Sequence, residues 1–440
     1  MSNRDLQGNV TKKELMQVGS GQFFTSIGGL LGVRILTRFM SPEIYGELAL
    51  GMTFFFLVQQ LLLGPVNNGF ARYYPLARER SGVSEYLKAV SHILFNAGLI
   101  ALLLFIITSL VLLFTGNSTW ISLIFFAFLF TLLSGFNLTM DSIQNGARHR
   151  SVVAWHQALS QWLRFLMAAA LIILLGASGS NAMAGFCISA IFVAASQYYF
   201  LKKKILSGNN AKDGVDAGGP VKWWKGKMLR FSYPFSTWGI FTWLLISSDR
   251  WALLLFNSTH SVGLYTVLYQ LGYYPITILT GMVVQLISPV LFSIAGDGKD
   301  IQRSLKARRV TNRVVLVSLV FTFVAATLCW YLSKWIFSVL VAPQYQSVHF
   351  LLPIMALSGG IFASGQICSL TALNNNNPRI LLVPKIGTSV LGIGLNFAGA
   401  AIMGVQGVAI GGLIFSVTYF IWIFRLLNTG KIREVRNIRN

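Results

Sequence analysis

The chain is 440 residues long, 54% hydrophobic and only 11% charged, with a mean hydropathy of +0.63, which excludes a soluble globular protein of this length. Its three cysteines, Cys187, Cys329 and Cys368, all lie inside apolar runs, at spacings that give neither a disulfide framework nor a zinc site. The formal net charge of +22 takes its meaning from where the basic residues sit.

Apolar runs of about 20 residues read as spanning helices, because the hydrocarbon core needs that many at about 1.5 Å of rise each. Twelve such runs occur, near 19–40, 45–69, 87–114, 119–141, 152–175, 181–201, 232–256, 262–291, 314–341, 349–373, 380–403 and 405–427. The expected fold is therefore all-α, a polytopic membrane protein. Ahead of the first run, Met1 to Gln17 is polar without a cleavage-type pattern and reads as a retained cytoplasmic tail.

The first helix is glycine-rich and carries Arg34 and Arg38 four residues apart, hence on one face. It leads through Ser41-Pro42-Glu43-Ile44-Tyr45-Gly46 into a second helix that runs to Gly64-Pro65. Further along, Asp141 ends the fourth helix, Arg164 sits in the middle of the fifth, and Asp249 and Arg250 lie in the seventh. Between the sixth and seventh helices comes the one long hydrophilic connection, Lys202 to Arg230, whose Lys222-Trp223-Trp224-Lys225 suits a short helix lying on an anionic inner leaflet. Lys385 stands near the cytoplasmic end of the eleventh helix, where an interfacial anchor is expected.

With the N-terminus inside, 30 of the 35 basic residues fall in the tails and the even-numbered connections, and the odd-numbered connections carry only Lys334. This is the positive-inside distribution, with both termini cytoplasmic. It accounts for the charge without nucleic acid.

The halves resemble each other. An offset of 217 residues places Ser41 on Ser258 and Gly46 on Gly263, and brings Arg34 beside Arg250. A second echo joins Asn145-Gly146-Ala147-Arg148 to Asn376-Asn377-Pro378-Arg379. Each half has an even number of spans, which predicts two parallel six-helix lobes, 1–201 and 232–440, with 202–231 as a cytoplasmic linker and a substrate cavity between the lobes. Gly28-Gly29-Leu30-Leu31-Gly32 and Gly407-Val408-Ala409-Ile410-Gly411 have the small-residue spacing that lets helices approach closely in lipid.

Enzyme motifs are missing: the sequence has no phosphate loop, no His-Glu-x-x-His and no Gly-x-Ser-x-Gly. No cofactor is expected. What stands out is charge inside spanning helices, which is costly and by default faces a polar cavity or a partner. Arg34, Arg38, Arg164 and Arg250 are the candidate substrate-binding residues. Arginine keeps its proton and offers a planar donor fork, which suits phosphate or carboxylate, so an anionic substrate is expected. For Arg38 the competing reading is a side chain that reaches out to the interface, and for Arg250 neutralisation by a carboxylate on a neighbouring helix. If H+ or Na+ drives a transport cycle, Asp249 beside Arg250 is the candidate coupling residue.

The Arg34-to-Gly46 stretch, Arg72-Tyr73-Tyr74 after the second helix and Gly404-Val405-Gln406-Gly407-Val408-Ala409 before the twelfth resemble the Wzx-type polysaccharide flippases of the multidrug/oligosaccharidyl-lipid/polysaccharide (MOP) exporter superfamily. The resemblance implies two lobes around a central cavity lined by helices 1, 2, 7 and 8. It also implies alternating access that carries an undecaprenyl-pyrophosphate-linked oligosaccharide repeat unit across the bacterial inner membrane, in lipopolysaccharide O-antigen or related polysaccharide biosynthesis. In that setting the arginines would face pyrophosphate or acidic sugars, and Gln59, Gln60, Gln270 and Tyr273 would bond sugar hydroxyls or else link helices. The alternatives are a cation-coupled multidrug exporter of the same superfamily, for which a buried acid is expected in the first helix, and a polysaccharide polymerase or ligase, for which a large outer loop is expected.

Overall fold

A computed structural model of the protein describes residues 12–203, 219–295, 301–374 and 378–439, and all its elements are helical. They are α1 (Lys12–Phe39), α2 (Pro42–Glu79), α3 (Val83–Phe114), α4 (Ile121–Gly146), α5 (Arg150–Leu175), α6 (Gly179–Leu201), α7 (Val221–Phe256), α8 (259–295), α9 (Ile301–Leu340), α10 (Leu352–Asn374), α11 (382–403) and α12 (405–439). Among the described residues ten helices are long and apolar enough to cross a membrane. Two causes separate that number from the twelve expected spans. Helix α1, diluted by serine, glutamine, glycine and two arginines, falls short on hydropathy, while α11 and α12 run together as one helix broken only at Gly404. There the backbone takes φ 57° and ψ −132°, a conformation open to glycine and hardly to any other residue. The chain folds back, and the backbones of Gly399 and Gly407 touch, which is the use of small residues that the Gly407/Gly411 spacing predicts.

The protein is a multi-pass membrane protein whose chain divides into two compact units. One holds the described residues up to Phe39 with Leu50–Trp243, the other Met40–Ala49 with Leu244 onward. Helices α2 and α7 therefore each contribute one end to each unit.

In the first unit the glycine face of α1 lies on α5. A Cβ at Gly21 would meet Ala154, one at Gly28 would meet Trp162, and one at Gly32 would collide with Phe165. The Trp162 indole N–H donates to the Phe24 carbonyl at 3.1 Å, so the close approach also satisfies a polar group. A core of Phe70, Tyr74, Val83, Tyr86, Ile143, Trp224 and Met228 closes the opposite side. Lys222-Trp223-Trp224-Lys225, expected as a separate interfacial helix, is instead the first turn of the continuous α7. Trp224 is fully buried edge-on against Tyr86, while Trp223 meets the cations Arg80 and Lys227. Burial of this indole against a tyrosine cluster outweighs its affinity for an interface. The rest of the expected linker, 204–218, lies outside the described residues, as do Asn376 and Asn377 of the second sequence echo.

In the second unit the two related turns meet. The start of α2 crosses the start of α8 so tightly that a Cβ on Gly46 would strike the Thr259 carbonyl and one on Gly263 the Pro42 carbonyl. Glu43 accepts from His260 at 2.6 Å, and these partners are 217 residues apart. The offset that relates the halves in sequence is thus the offset of a reciprocal contact. Tyr345 adds to the junction by donating to the Met40 carbonyl at 2.9 Å. A core of Ile367, Cys368, Phe415, Tyr419 and Ile423 fills the rest of this unit.

Both α2 and α8 contain a five-residue π-helical turn, Gln59–Leu63 and Tyr269–Tyr273. Each is followed by one residue and then a proline, Pro65 or Pro275. Proline lacks the N–H that would continue the α ladder, and the wider i→i+5 turn lets Gly64 donate to the Gln59 carbonyl and Tyr274 to that of Tyr269. Gln60-Leu61 and Pro65 align with Gln270-Leu271 and Pro275 at an offset of 210. The second half is thus seven residues shorter between its turn and its π segment than the first, about two helical turns.

Candidate functional site

The candidate residues fall into separate groups in the two units. In the first, Arg34 and Arg38 are exposed on α1, and among the described residues neither is in an ion pair. Arg164 on α5 is half-buried, donates to the Gln161 amide oxygen at 2.5 Å, and lies over the rings of Phe165 and Phe186 at 5.1 and 5.3 Å. Phe165 and Gln161 are also the side chains that meet Gly32 and Gly29 of α1. The glycine face therefore brings the Arg164 platform to α1 one turn before Arg34 and Arg38. Arg34 and Arg38, in no ion pair among the described residues, keep their capacity for anionic ligands.

Gln59 and Gln60 are half-buried in the π turn of α2. The Gln60 backbone carbonyl is covered by Gly239 of α7, and a few residues away the Trp243 indole donates to the Thr53 carbonyl at 2.9 Å. A π turn frees backbone and side-chain groups from the regular ladder, which is why such turns recur at ligand sites. Beside it, an apolar cavity of about 450 Å³ lies among α2, α3 and α4, lined by Leu63, Leu94, Gly98, Leu132 and Gly135. Its lining suits hydrocarbon and not an anion.

In the second unit Asp249 and Arg250 are 5% and 6% exposed and pair with each other at 3.0 Å. The Asp249 carboxylate also takes the Arg250 backbone N–H at 2.7 Å, and Arg250 donates to the Ile246 carbonyl at 2.7 Å. Tyr265 hydrogen-bonds Asp249, and Tyr269 lies 5.4 Å from the guanidinium. Tyr269 in turn stacks on Tyr273 at 4.7 Å, and Tyr273 leads to Phe362 at 6.2 Å. The tyrosine ladder at 265, 269 and 273 was missed from sequence, although its four-residue spacing marks one face of a helix. Gln270 is not on this ladder: its side-chain oxygen accepts from the Tyr45 hydroxyl at 2.7 Å and ties α8 to the crossing of the two turns.

No curated protein sequence matches the chain. Its fold resembles that of the lipid II flippase MurJ in an inward closed conformation, with a TM-score of 0.73 and 17% identity over 94% of this chain and 87% of that one. It also resembles an inward-facing multidrug resistance MATE family transporter of the MOP superfamily, with a TM-score of 0.68 and 13% identity over 95% and 99% of the two chains. A MOP superfamily transporter from Pyrococcus furiosus matches with a TM-score of 0.57 and 14% identity over 96% and 100%. These likenesses establish a shared fold. Residues 13–295, more than half of the chain, match the family described as polysaccharide biosynthesis protein, and the chain belongs to that family.

Proposed function

We propose that the protein is a flippase that carries an undecaprenyl-pyrophosphate-linked oligosaccharide repeat unit across the bacterial cytoplasmic membrane by alternating access of two lobes. The family supports a role in polysaccharide biosynthesis. The observation that carries the substrate class is the pair Arg34 and Arg38, exposed on a helix that sits among spanning segments and free of ion pairs among the described residues. Exposing a guanidinium to hydrocarbon costs a few kcal/mol on insertion scales and more in simulation, so the pair is placed where water and an anion reach it. Pyrophosphate supplies that anion. Gln59, Gln60 and Tyr273 complete the reading as donors to sugar hydroxyls, Arg164 supports the anion site, and the orientation has both termini in the cytoplasm. The protein acts as a transporter and not as an enzyme.

Deletion of the gene followed by lipid analysis tests this. Accumulation of complete lipid-linked repeat units on the inner leaflet is the expected result. Single units left unpolymerised on the outer leaflet would identify a polymerase. Unchanged lipids with increased drug sensitivity would identify a multidrug exporter.

A further inference from the structure

Four helices of the first unit bring a chain of side-chain amides to one buried carboxylate. Asp141, on α4, is 8% exposed. One of its oxygens takes an N–H from Gln197 of α6 at 2.9 Å and the other an N–H from Gln157 of α5 at 3.3 Å. Gln157 is in turn held by Gln22 of α1 at 3.3 Å. Among the described residues no arginine, lysine or histidine pairs with Asp141. The imidazole beside Gln157, that of His156, is engaged by the Val152 carbonyl at 2.8 Å and the Ser196 hydroxyl at 3.0 Å.

The same helices hold buried amide groups without partners. Gln197 and Gln144 are each 1% exposed. Among the described residues the Gln197 side-chain oxygen and both ends of the Gln144 amide have no hydrogen-bond partner. Gln144 lies three residues after Asp141, on the same face of α4. An orphaned buried polar atom is destabilising, and a buried charge without a counter-charge more so. One ligand of positive charge would relieve the carboxylate and both orphaned amide oxygens at once.

We propose that this cluster is a binding site for a monovalent metal cation, with the Asp141 carboxylate supplying the charge and the side-chain oxygens of Gln197 and Gln144 the neutral ligands. Carboxylate and amide oxygens are the donor set of a hard cation. A single carboxylate matches a single positive charge, whereas calcium sites gather several. A proton fits less well. A proton on Asp141 would relieve the carboxylate alone and leave the side-chain oxygen of Gln144 unsatisfied. The assignment does not rest on the proposed substrate, because the cluster lies on α4, α5 and α6, apart from the arginines of α1.

Equilibrium binding of radioactive sodium to the full-length protein in detergent, with choline replacing sodium at constant ionic strength, tests the site without a transport assay. Saturable binding is expected in the native protein. It should be lost in Asp141→Asn, weakened in Gln197→Leu and Gln144→Leu, and kept in Glu43→Gln, a change at an exposed side chain of the other unit. If Asp141→Asn aggregates, the two glutamine variants, which keep the carboxylate, carry the test through their loss of affinity. The assignment is overturned if the native protein shows no saturable sodium binding, or if a monodisperse Asp141→Asn binds as the native chain does. It is also overturned if stability responds to pH through Asp141 with no effect of sodium, which would make the site a proton site.

Discussion

The two halves of the chain use one backbone device for two kinds of chemistry. Each has a short turn, a π-helical segment and a proline one residue beyond it, and each places an arginine on the helix before the turn. In the first half Arg34 is exposed and without an ion pair among the described residues. In the second, Arg250 is buried and its charge is answered by Asp249 on the preceding residue, with tyrosines closing around the pair. A buried ion pair whose groups are also hydrogen-bonded contributes structure and little free charge. The arginines without a counter-charge among the described residues therefore lie on α1, and the second half surrounds its own arginine with aromatic rings. Repeat symmetry here specifies where the chain bends, not what the bend carries.

The sharpest way to break that contrast is Asp249→Asn. It leaves the buried Arg250 without its counter-charge, a change that costs on the order of 3–5 kcal/mol in other buried pairs, so the melting temperature of the purified protein should fall steeply. Adding Arg250→Met should restore most of the loss, since the pair as a whole is close to neutral in stability. A mild single-site effect would mean that Arg250 is compensated elsewhere, and the difference between the halves would vanish.

The opposite pattern is expected for α1. Replacing Arg34 or Arg38 by Gln should leave the melting temperature nearly unchanged, because neither is in an ion pair among the described residues, while flipping of lipid-linked substrate into vesicles falls. Loss of one charge-assisted contact is worth about 1.5–3 kcal/mol, or roughly 10- to 100-fold in rate or affinity. Arg→Lys should recover only part of it, because the planar fork is lost. Stability that drops with activity intact would instead place these side chains in structure.

How much of this was legible in the sequence follows from which forces act locally. The spans were legible because hydrocarbon thickness dictates their length, and the glycine contacts of α1 and α12 because close helix approach needs small residues. The relation between the turns was legible as well, since Gly46 and Gly263 sit where backbone meets backbone. The matching π turns were not, because the second half lacks seven residues upstream and the common Gln-Leu and Pro positions slide out of the 217-residue register into one of 210. Nor was the neutralisation of Arg250 by its own neighbour. Consecutive helical residues point about 100° apart and ordinarily do not face each other, yet Asp249 turns back to take both the backbone N–H and the guanidinium of Arg250. The role of Gln144 and Gln197 was invisible because burial of an amide is a tertiary fact.

A smaller effect is expected at the crossing of the two turns. Gly46→Val or Gly263→Val would drive a side chain into the Thr259 or Pro42 carbonyl, and overpacking of this kind costs about 1–3 kcal/mol. If the crossing opens and closes during transport, either variant should favour the open form. The rate of thiol labelling at a cysteine placed at Ser258 should then rise in both variants alike, because the contact is reciprocal. Faster labelling in only one of them would show that the two turns do not act as a symmetric pair.

The least effect belongs to the Glu43–His260 contact, which repeats the 217-residue offset in side chains. Both groups are about half exposed, at 50% and 45%. Solvent and salt therefore screen them, and pairs of this kind contribute about 0–1 kcal/mol. His260→Ala should thus lower the melting temperature slightly at low salt and not at all in high-salt buffer. The glycine contact beneath it should show no such dependence. A salt-independent loss in His260→Ala would mean that the ring holds the crossing by packing alone, and that the charges of the two turns, unlike their backbones, take no part in joining the halves.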